Sequence, residues 1–418
     1  MKQLNIGFIS TRIAGTDGVS LETAKWAAVL EEDGHNVFYM AGELDTPADR
    51  SYLVKHCHFK HPTVVDINEA CFGHSRRTPE ATLMIESLKH TLKKEIRGFI
   101  SQYRLDLIIP ENALAIPLNL PLGLALTEVA VESDFPMIAH HHDFYWERKR
   151  FMRNGCWDYI NKAFPPNLPM TQHVVLNSSQ NHQLGLRTGI AGVVIPNVMD
   201  FANPPSVNGE AKQAIRRELG FARGEKLILQ PTRIIKRKGI EHAIELVKRL
   251  DVPAKLVISH KFGDEGDDYA HRVIEYSKLM GVQTILCQQL MEPNDENGNG
   301  GEPKFTLSDL YQSADFVTYP SLIEGFGNAL LEAMYYKRPI MVNNYMIYHL
   351  DIKPLGFKLV EINDYVSAEA VDETRLVLED EDLATRMVEE NYAIASRYFS
   401  YDVVRRKLLP LLINQFDT

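Results

Sequence analysis

Residues 315–333 read DFVTYPSLIEGFGNALLEA. The run 315–321 has the length and the β-branched, aromatic content of a strand buried on both faces. Pro320 and Ser321 end it. Glu324, Gly325 and Gly327 then form a loop, and from Asn328 the apolar residues recur at helical spacing. A strand, a glycine loop and a helix in that order make half of a β/α unit, which predicts a parallel sheet covered by helices.

The loop carries the chemistry. Its glycines let backbone N–H groups approach a ligand closely. A helix start presents unsatisfied donors and a partial positive charge, which favours a phosphate or a sugar oxygen. Glu332 falls in the first or second helical turn and can point back toward that end. Two carboxylates bracketing such a helix start suit a sugar diphosphate, one for the sugar hydroxyls and one for the ribose. Two glutamates at this spacing also arise by chance on an exposed loop. The weight therefore rests on the whole string P-S-x-x-E-G-F-G-x-x-x-x-E-A, residues 320–333.

The alternation continues in both directions. Upstream in the same half, KLILQPTR (226–233), AKLVISH (254–260) and QTILCQ (283–288) read as strands, and RPIMVNN (338–344) follows downstream. The first forty residues repeat the pattern: strand LNIGFIS (4–10), a glycine turn over 11–22, a helix ending at Gly34 and strand NVFYMAG (36–42). Residues 78–103 read as a long amphipathic helix, with strands at LDLIIPEN (105–112), FPMIAHHHDFYW (135–146), QHVVLN (172–177) and GVVIPN (192–197). Between the halves, FANPPSVNGEAKQ (201–213) has the proline, asparagine and glycine content of a linker. The expectation is an α/β chain of two Rossmann-like β/α domains, 1–200 and 213–395, joined by a linker at 201–212. Residues 396–418 form a C-terminal segment whose helix, Tyr401 to Gln415, is expected to cross back onto the first domain. Ligands bind beyond the carboxyl ends of such strands, so the two domains are expected to face each other across a cleft. The loop PNDENGNGGEP (293–303) is polar and glycine-rich.

Three further motifs follow predicted strands. Gln230-Pro-Thr-Arg233-Ile-Ile-Lys236-Arg237-Lys238-Gly239 places Arg233 and Lys238 at a helix start, where fixed cations stabilise charge on a departing diphosphate. Taken alone it is a solvated basic helix start. Ala14-Gly15-Thr16-Asp17-Gly18 is a weak glycine loop that lacks the G-x-G-x-x-G dinucleotide fingerprint, which disfavours a dehydrogenase. Gly18 is its candidate backbone donor. Ala139-His140-His141-His142-Asp143 ends a strand, and the basic run Arg148-Lys149-Arg150 follows. Neighbouring strand residues point to opposite faces, so three consecutive histidines cannot hold one ion on a regular strand. The bland reading is one buried histidine and two exposed ones. His56, Cys57, His58, Cys71 and His74 match no zinc spacing.

The strings at 320–333 and 230–239 together resemble the retaining GT-B glycosyltransferases of family 4, whose signature is E-x7-E. The resemblance spans the chain in outline and residues 226–340 in detail. It implies a hexosyltransferase, EC 2.4.1 in type, that moves glucose or mannose from UDP-glucose or GDP-mannose to an acceptor hydroxyl with retention. Glu324 would bind the sugar, Glu332 the ribose, and Arg233 and Lys238 the phosphates. Gly18, Ser259, His260, Gly325, Phe326, Gly327 and Asn328 complete the implied donor site. A histidine near the transferred sugar is His142 if the motif is H-D and His141 if it is H-x-D. His141, Arg148 and Arg150 form the implied acceptor side, where the basic run suggests a small anionic acceptor such as a glycerate-type compatible solute. Leu290 or Met291 would flank the base. No metal or cofactor is implied, since the nucleotide sugar is a co-substrate, and no convincing D-x-D occurs. The chain departs from the family at Lys337-Arg338-Pro339, usually Gly-x-Pro, and at Asn343-Asn344-Tyr345, usually small and glycine-rich. Rival readings are a sugar phosphorylase or nucleotide-sugar epimerase of this fold, and a non-catalytic binding protein built on it.

Composition sets the remaining bounds. The 418 residues are 45% hydrophobic and 24% charged, as in globular proteins, and the net charge of −10 argues against a general nucleic-acid binder. No stretch reads as a signal peptide or as the roughly 20 apolar residues of a membrane span. Four scattered cysteines give no disulfide framework. A cytoplasmic enzyme, monomeric or homo-oligomeric, is the expectation.

Overall fold

The computed structural model describes residues 2–206, 209–259, 268–287 and 305–416. The chain divides into two compact units, Met1–Val198 with Tyr401–Thr418, and Met199–Ser400. Each is a Rossmann-like α/β domain.

In the first unit, β1 (Asn5–Ile9), β2 (Asn36–Ala41), β3 (Ser51–Leu53), β4 (Leu107–Pro110), β5 (Met137–His141), β6 (Thr171–Val175) and β7 (Gly192–Val194) form one sheet in the order β3-β2-β1-β4-β5-β6-β7. In the second, β8 (Lys226–Gln230), β9 (Ala254–Ile258), β10 (Thr284–Leu286), β11 (Phe316–Tyr319), β12 (Ile340–Asn343) and β13 (Val360–Ile362) run in the order β10-β9-β8-β11-β12-β13. Every pairing between these strands is parallel. Sequence order reverses once in each sheet, between β1 and β4 and between β8 and β11. There the crossovers leave to opposite sides, and the loops at the carboxyl ends part to leave room for a ligand.

Burial on both faces explains the near-continuous apolar strands. From β1, Ile6 and Phe8 join Trp26 and Leu30 of the helix Gly18–Glu32, whereas Ile9 joins Phe99 on the other face. The helix Pro79–Tyr103 buries Ala81, Ile85, Leu88, Leu92, Ile96 and Phe99, an apolar stripe of helical period. In the second unit, Ile240, Ala243, Ile244, Val247 and Leu250 of the helix Ile240–Leu250 cover Ile228 and Leu256.

The last helix, Tyr401–Phe416, belongs to the first unit. Its Val404, Leu408, Leu411 and Leu412 enter the same core as Ile6 and Phe8. Arg405 pairs with Glu32 at 2.8 Å and with Asp33 at 2.6 Å.

Several boundaries differ from the sequence expectations. The first helix begins at Gly18, inside the stretch read as a turn, because the Asp17 side chain accepts from the Val19 and Ser20 N–H groups and caps it. The helix Gly209–Glu218 begins inside the stretch read as a linker. Residues 396–398, placed in the last segment, end the helix Glu381–Tyr398, while the final helix starts at Tyr401 as its spacing suggests. β5 stops at His141 rather than reaching residue 146. The Asn112 side-chain oxygen accepts from the His142 and Asp143 N–H groups and draws that backbone off the sheet. Among the described residues, no helix is long and apolar enough to cross a membrane.

Candidate active site

The loops after β8 and β11, on either side of the second reversal, are tied to each other. The Leu322 N–H donates to the Arg237 carbonyl at 2.8 Å, and the Arg237 guanidinium donates to the Ile323 carbonyl at 3.0 Å. Gly239, at φ +60°, lies so close that a Cβ there would sit 2.6 Å from the Pro320 carbonyl oxygen. Between these loops Glu324 is held by two cations: Lys238 Nζ meets Oε1 and Arg237 Nη1 meets Oε2 at 2.9 Å. Burial alone would raise the Glu324 carboxyl, but Lys238 and Arg237 hold it below the usual carboxylate range. Burial pulls the Lys238 ammonium below the usual lysine value, against the pull of Glu324. Arg233 is exposed and near enough to oppose the charge on Lys238. The 230–239 motif thus supplies two cations to Glu324, and Arg237, which the sequence reading left without a role, is one of them.

The helix Asn328–Tyr335 starts at Gly327 with no side-chain cap, so its first N–H groups point toward the same loop. Phe326 is buried and packs edge-on against Phe399, at 5.3 Å between ring centres. The residues that depart from the family pattern brace this loop. Tyr345 Oη donates to the Phe326 carbonyl at 2.7 Å, and Asn343 Nδ2 donates to the Ser321 carbonyl at 3.3 Å. Lys337 takes a left-handed backbone, φ 52°, at the position where the family usually has glycine.

Glu332 accepts a 2.7 Å hydrogen bond from Tyr311 Oη, and the Tyr311 side chain is fully buried. A hydrogen bond to a charged group contributes about 1.5–3 kcal/mol. With Glu332 in the ribose-binding role that the family resemblance implies, Tyr311→Phe is expected to raise the KM for the nucleotide donor about tenfold with little change in kcat, since such a contact is the same in ground and transition states. Steady-state donor titration of this variant checks it. Ser259 ends β9 buried, with its N–H on the Gln230 carbonyl. His260, Lys261, Leu290, Met291 and the loop 293–303 lie outside the described residues.

In the first unit the reversal is lined by β4 and β5. Alternation along β5 separates the three histidines. His140 and His142 share one face and His141 takes the other. His141 is fully buried, with Nε2 2.9 Å from His173 Nδ1 and its ring beside Phe144. Burial and His173 push it well below the usual histidine value. His141 thus lies inside the first unit, whereas His142, at 9% exposure, is the more accessible ring.

Glu111, at the end of β4, joins the pair. It is 0% exposed and accepts from His140 Nδ1 at 3.1 Å and from His142 Nε2 at 2.9 Å. Trp26 stacks on His140 at 4.1 Å. Burial pulls His142 down, but Glu111 carries its value above that of an ordinary histidine. Asn112 stands next to Glu111 in a left-handed conformation, φ 56°, and its Nδ2 donates to Asp143 at 2.8 Å. Asp143 in turn pairs with Arg148, which is exposed, as is Arg150. Gly18 is the first residue of its helix and adjoins Asp17, whose carboxylate also pairs with Arg12 at 2.8 Å. Glu111, His140 and His142 are the one group among the described residues whose ligand atoms lie close enough to hold a metal, all within 4.8 Å of one another. Glu111 and Asn112 carry no motif in the sequence beyond a polar pair directly after a buried strand.

Comparison with known proteins agrees with this geometry. A family model described as "Glycosyl transferases group 1" matches residues 211–393, the span holding both tied loops. Mannosylglucosylglycerate synthase of Thermotoga maritima is 32% identical over 97% of this chain and 100% of its own length. Mannosylglucosylglycerate synthase of Petrotoga mobilis is 31% identical over 86% of each chain. Among solved structures, a glycosyltransferase from Rickettsia africae superposes with a TM-score of 0.69 at 15% identity, covering 99% of both chains, a likeness of fold. A basic loop and a glutamate loop tied across a strand reversal, in a chain this similar to such enzymes along its whole length, place the protein among the group 1 glycosyltransferases.

Proposed function

We propose that this glycosyltransferase moves a mannosyl group from a nucleotide diphosphate donor to glucosylglycerate, with retention of configuration and without a metal. The observation that carries the reading is Glu324 set between Lys238 and Arg237 beside an uncapped helix start. Departure of the diphosphate breaks the bond from anomeric carbon to phosphate oxygen and places new negative charge on that oxygen. Arg233, Lys238 and the helix start answer that charge. The acceptor hydroxyl attacks on the same face, its oxygen bonds to the anomeric carbon, and its proton passes to the departing phosphate. Glu324 holds the sugar hydroxyls, Glu332 the ribose, and His142 donates to the transferred sugar. The product named for the two relatives supports mannose as the sugar and glucosylglycerate as the acceptor, with GDP-mannose as donor. Arg148 and Arg150 suit the acceptor's carboxylate, and replacing either is expected to raise the acceptor KM more than the donor KM. The four cysteines, all free and buried, support a reducing, cytoplasmic setting.

The deciding experiment is a thermal-shift series with UDP, GDP and ADP, each with and without its sugar, followed by mass analysis of the product. Stabilisation grows with ligand concentration over Kd, so GDP and GDP-mannose are expected to stand out. Product formation is expected to persist in EDTA. No shift with any nucleotide would overturn the proposal.

A further inference from the structure

We propose that Glu111 is a positioning residue of the transfer: its carboxylate holds the His142 ring by Nε2 and leaves Nδ1 as the nitrogen free to donate to the sugar. This rests on the reading of His142 given above.

Three observations single out Glu111. It stands where the strand order of the first sheet reverses, beside β5, so its place is set by the β1-β4-β5 pairing rather than by a loop. Both carboxylate oxygens are spent on the two rings. Of those rings, His140 is sealed beneath Trp26 and only His142 reaches the surface. The backbone at His142 is fixed from two sides: the Asn112 side chain accepts its N–H at 3.0 Å, and Gln180 Nε2 donates to its carbonyl at 2.9 Å. An anion that accepts at Nε2 sets the tautomer, and it favours the imidazolium, in which both ring nitrogens donate. Among the described residues, the other charged or titratable groups near the ring are Glu22 from the helix Gly18–Glu32, His140 on the same face of β5, His141 on the opposite face, and Asp143 beside it.

The test compares the wild-type protein with Glu111→Gln, Glu111→Asp and His142→Ala, using GDP-mannose and glucosylglycerate and reading GDP release. Glutamine keeps the shape but removes the charge, and its single amide oxygen can replace only one of the two accepting oxygens. Glu111→Gln is expected to lower kcat by about 10- to 100-fold, the loss seen when carboxylates that orient metal-ligating histidines are removed. The donor KM is expected to stay within about twofold. Because the anion favours protonated His142, its loss should move the alkaline limb of the kcat profile to lower pH; Glu22 and Asp143 keep the shift partial. Glu111→Asp retains the charge, so kcat falls while the limb stays, and it serves alone if the glutamine variant does not fold. A wild-type kcat and pH profile in Glu111→Gln, with His142→Ala impaired, overturns the proposal. So does a melting temperature that falls without a change in kcat. So does near-stoichiometric metal in the wild-type protein that Glu111→Gln removes, since Glu111 would then be a ligand. Full activity in His142→Ala overturns instead the reading on which the proposal rests.

Discussion

Glu324→Ala is expected to reduce sugar transfer by roughly 10²–10⁴-fold and to destabilise the second unit as well. Both effects follow from one arrangement. Bonds from a carboxylate to two sugar hydroxyls contribute about 1.5–3 kcal/mol each, which sets the loss in kcat/KM. Alanine also leaves Lys238 in a buried position without the carboxylate that balances it. Removing one partner of a buried pair costs about 3–5 kcal/mol, less whatever Lys238 recovers by releasing its proton. Glu324→Gln separates the two effects: it fills the space and can still accept from Lys238, so it should lose transfer while regaining part of the stability. The pH dependence has a definite sign. Glu324 titrates below the ordinary carboxylate range in the folded protein. Its contribution to stability is therefore complete above that range and is lost as pH falls through its own lower value. Donor-turnover assays and thermal unfolding across acid pH check both parts, and full activity in Glu324→Ala would refute the role.

The second large effect is expected from Gly327→Ala, which adds a single carbon. Gly327 has φ +129°, and a Cβ on it would lie 2.3 Å from Tyr345 Oη and 3.4 Å from Tyr319 Cε1. Neither ring can swing away. Tyr345 is buried and bonded to the Phe326 carbonyl, and Tyr319 is buried in β11. Left-handed strain of about 1–2 kcal/mol adds to an overpacking cost of about 1–3 kcal/mol, so the variant should lose about 2–5 kcal/mol in urea unfolding. Tyr345→Phe in the same chain removes the clashing oxygen but not the strained backbone. It is expected to restore only part of the loss; full restoration would show that the backbone conformation costs nothing.

How far the sequence could be read differs between the units for a physical reason. In the second unit each motif is contiguous: a strand, a loop and a helix start carry Glu324 through Glu332, and another such unit carries Arg233 through Gly239. Local spacing was enough to find them. What spacing could not show is that the two strands are neighbours, and so it did not show that Arg237 as well as Lys238 reaches Glu324. In the first unit the local signal was three adjacent histidines, and period-two alternation explains why they split into two faces. Choosing among them required knowing what lies on each face. The answer is Glu111 on one and His173 on the other, each about thirty residues away in sequence and adjacent only through the sheet order. Asn112 was hidden for a related reason. Its work is to end β5, and a strand's end is set by a competing hydrogen-bond acceptor that the strand's own sequence does not contain.

The helix Tyr401–Phe416 has a consequence for how the protein is made. The first unit is interrupted: about two hundred residues of the second unit are synthesised between β7 and the helix that completes the first core. At about 5–20 residues per second, the ribosome needs roughly 10–40 seconds to cross that span. Throughout it, the face of Ile6, Phe8 and Trp26 that receives Val404, Leu408, Leu411 and Leu412 waits uncovered. The second unit, contiguous from Met199 to Ser400, has all its residues earlier. The domain that begins first in the chain is thus the last to be finished, and the nascent first unit is the stage at which a chaperone has an apolar surface to hold.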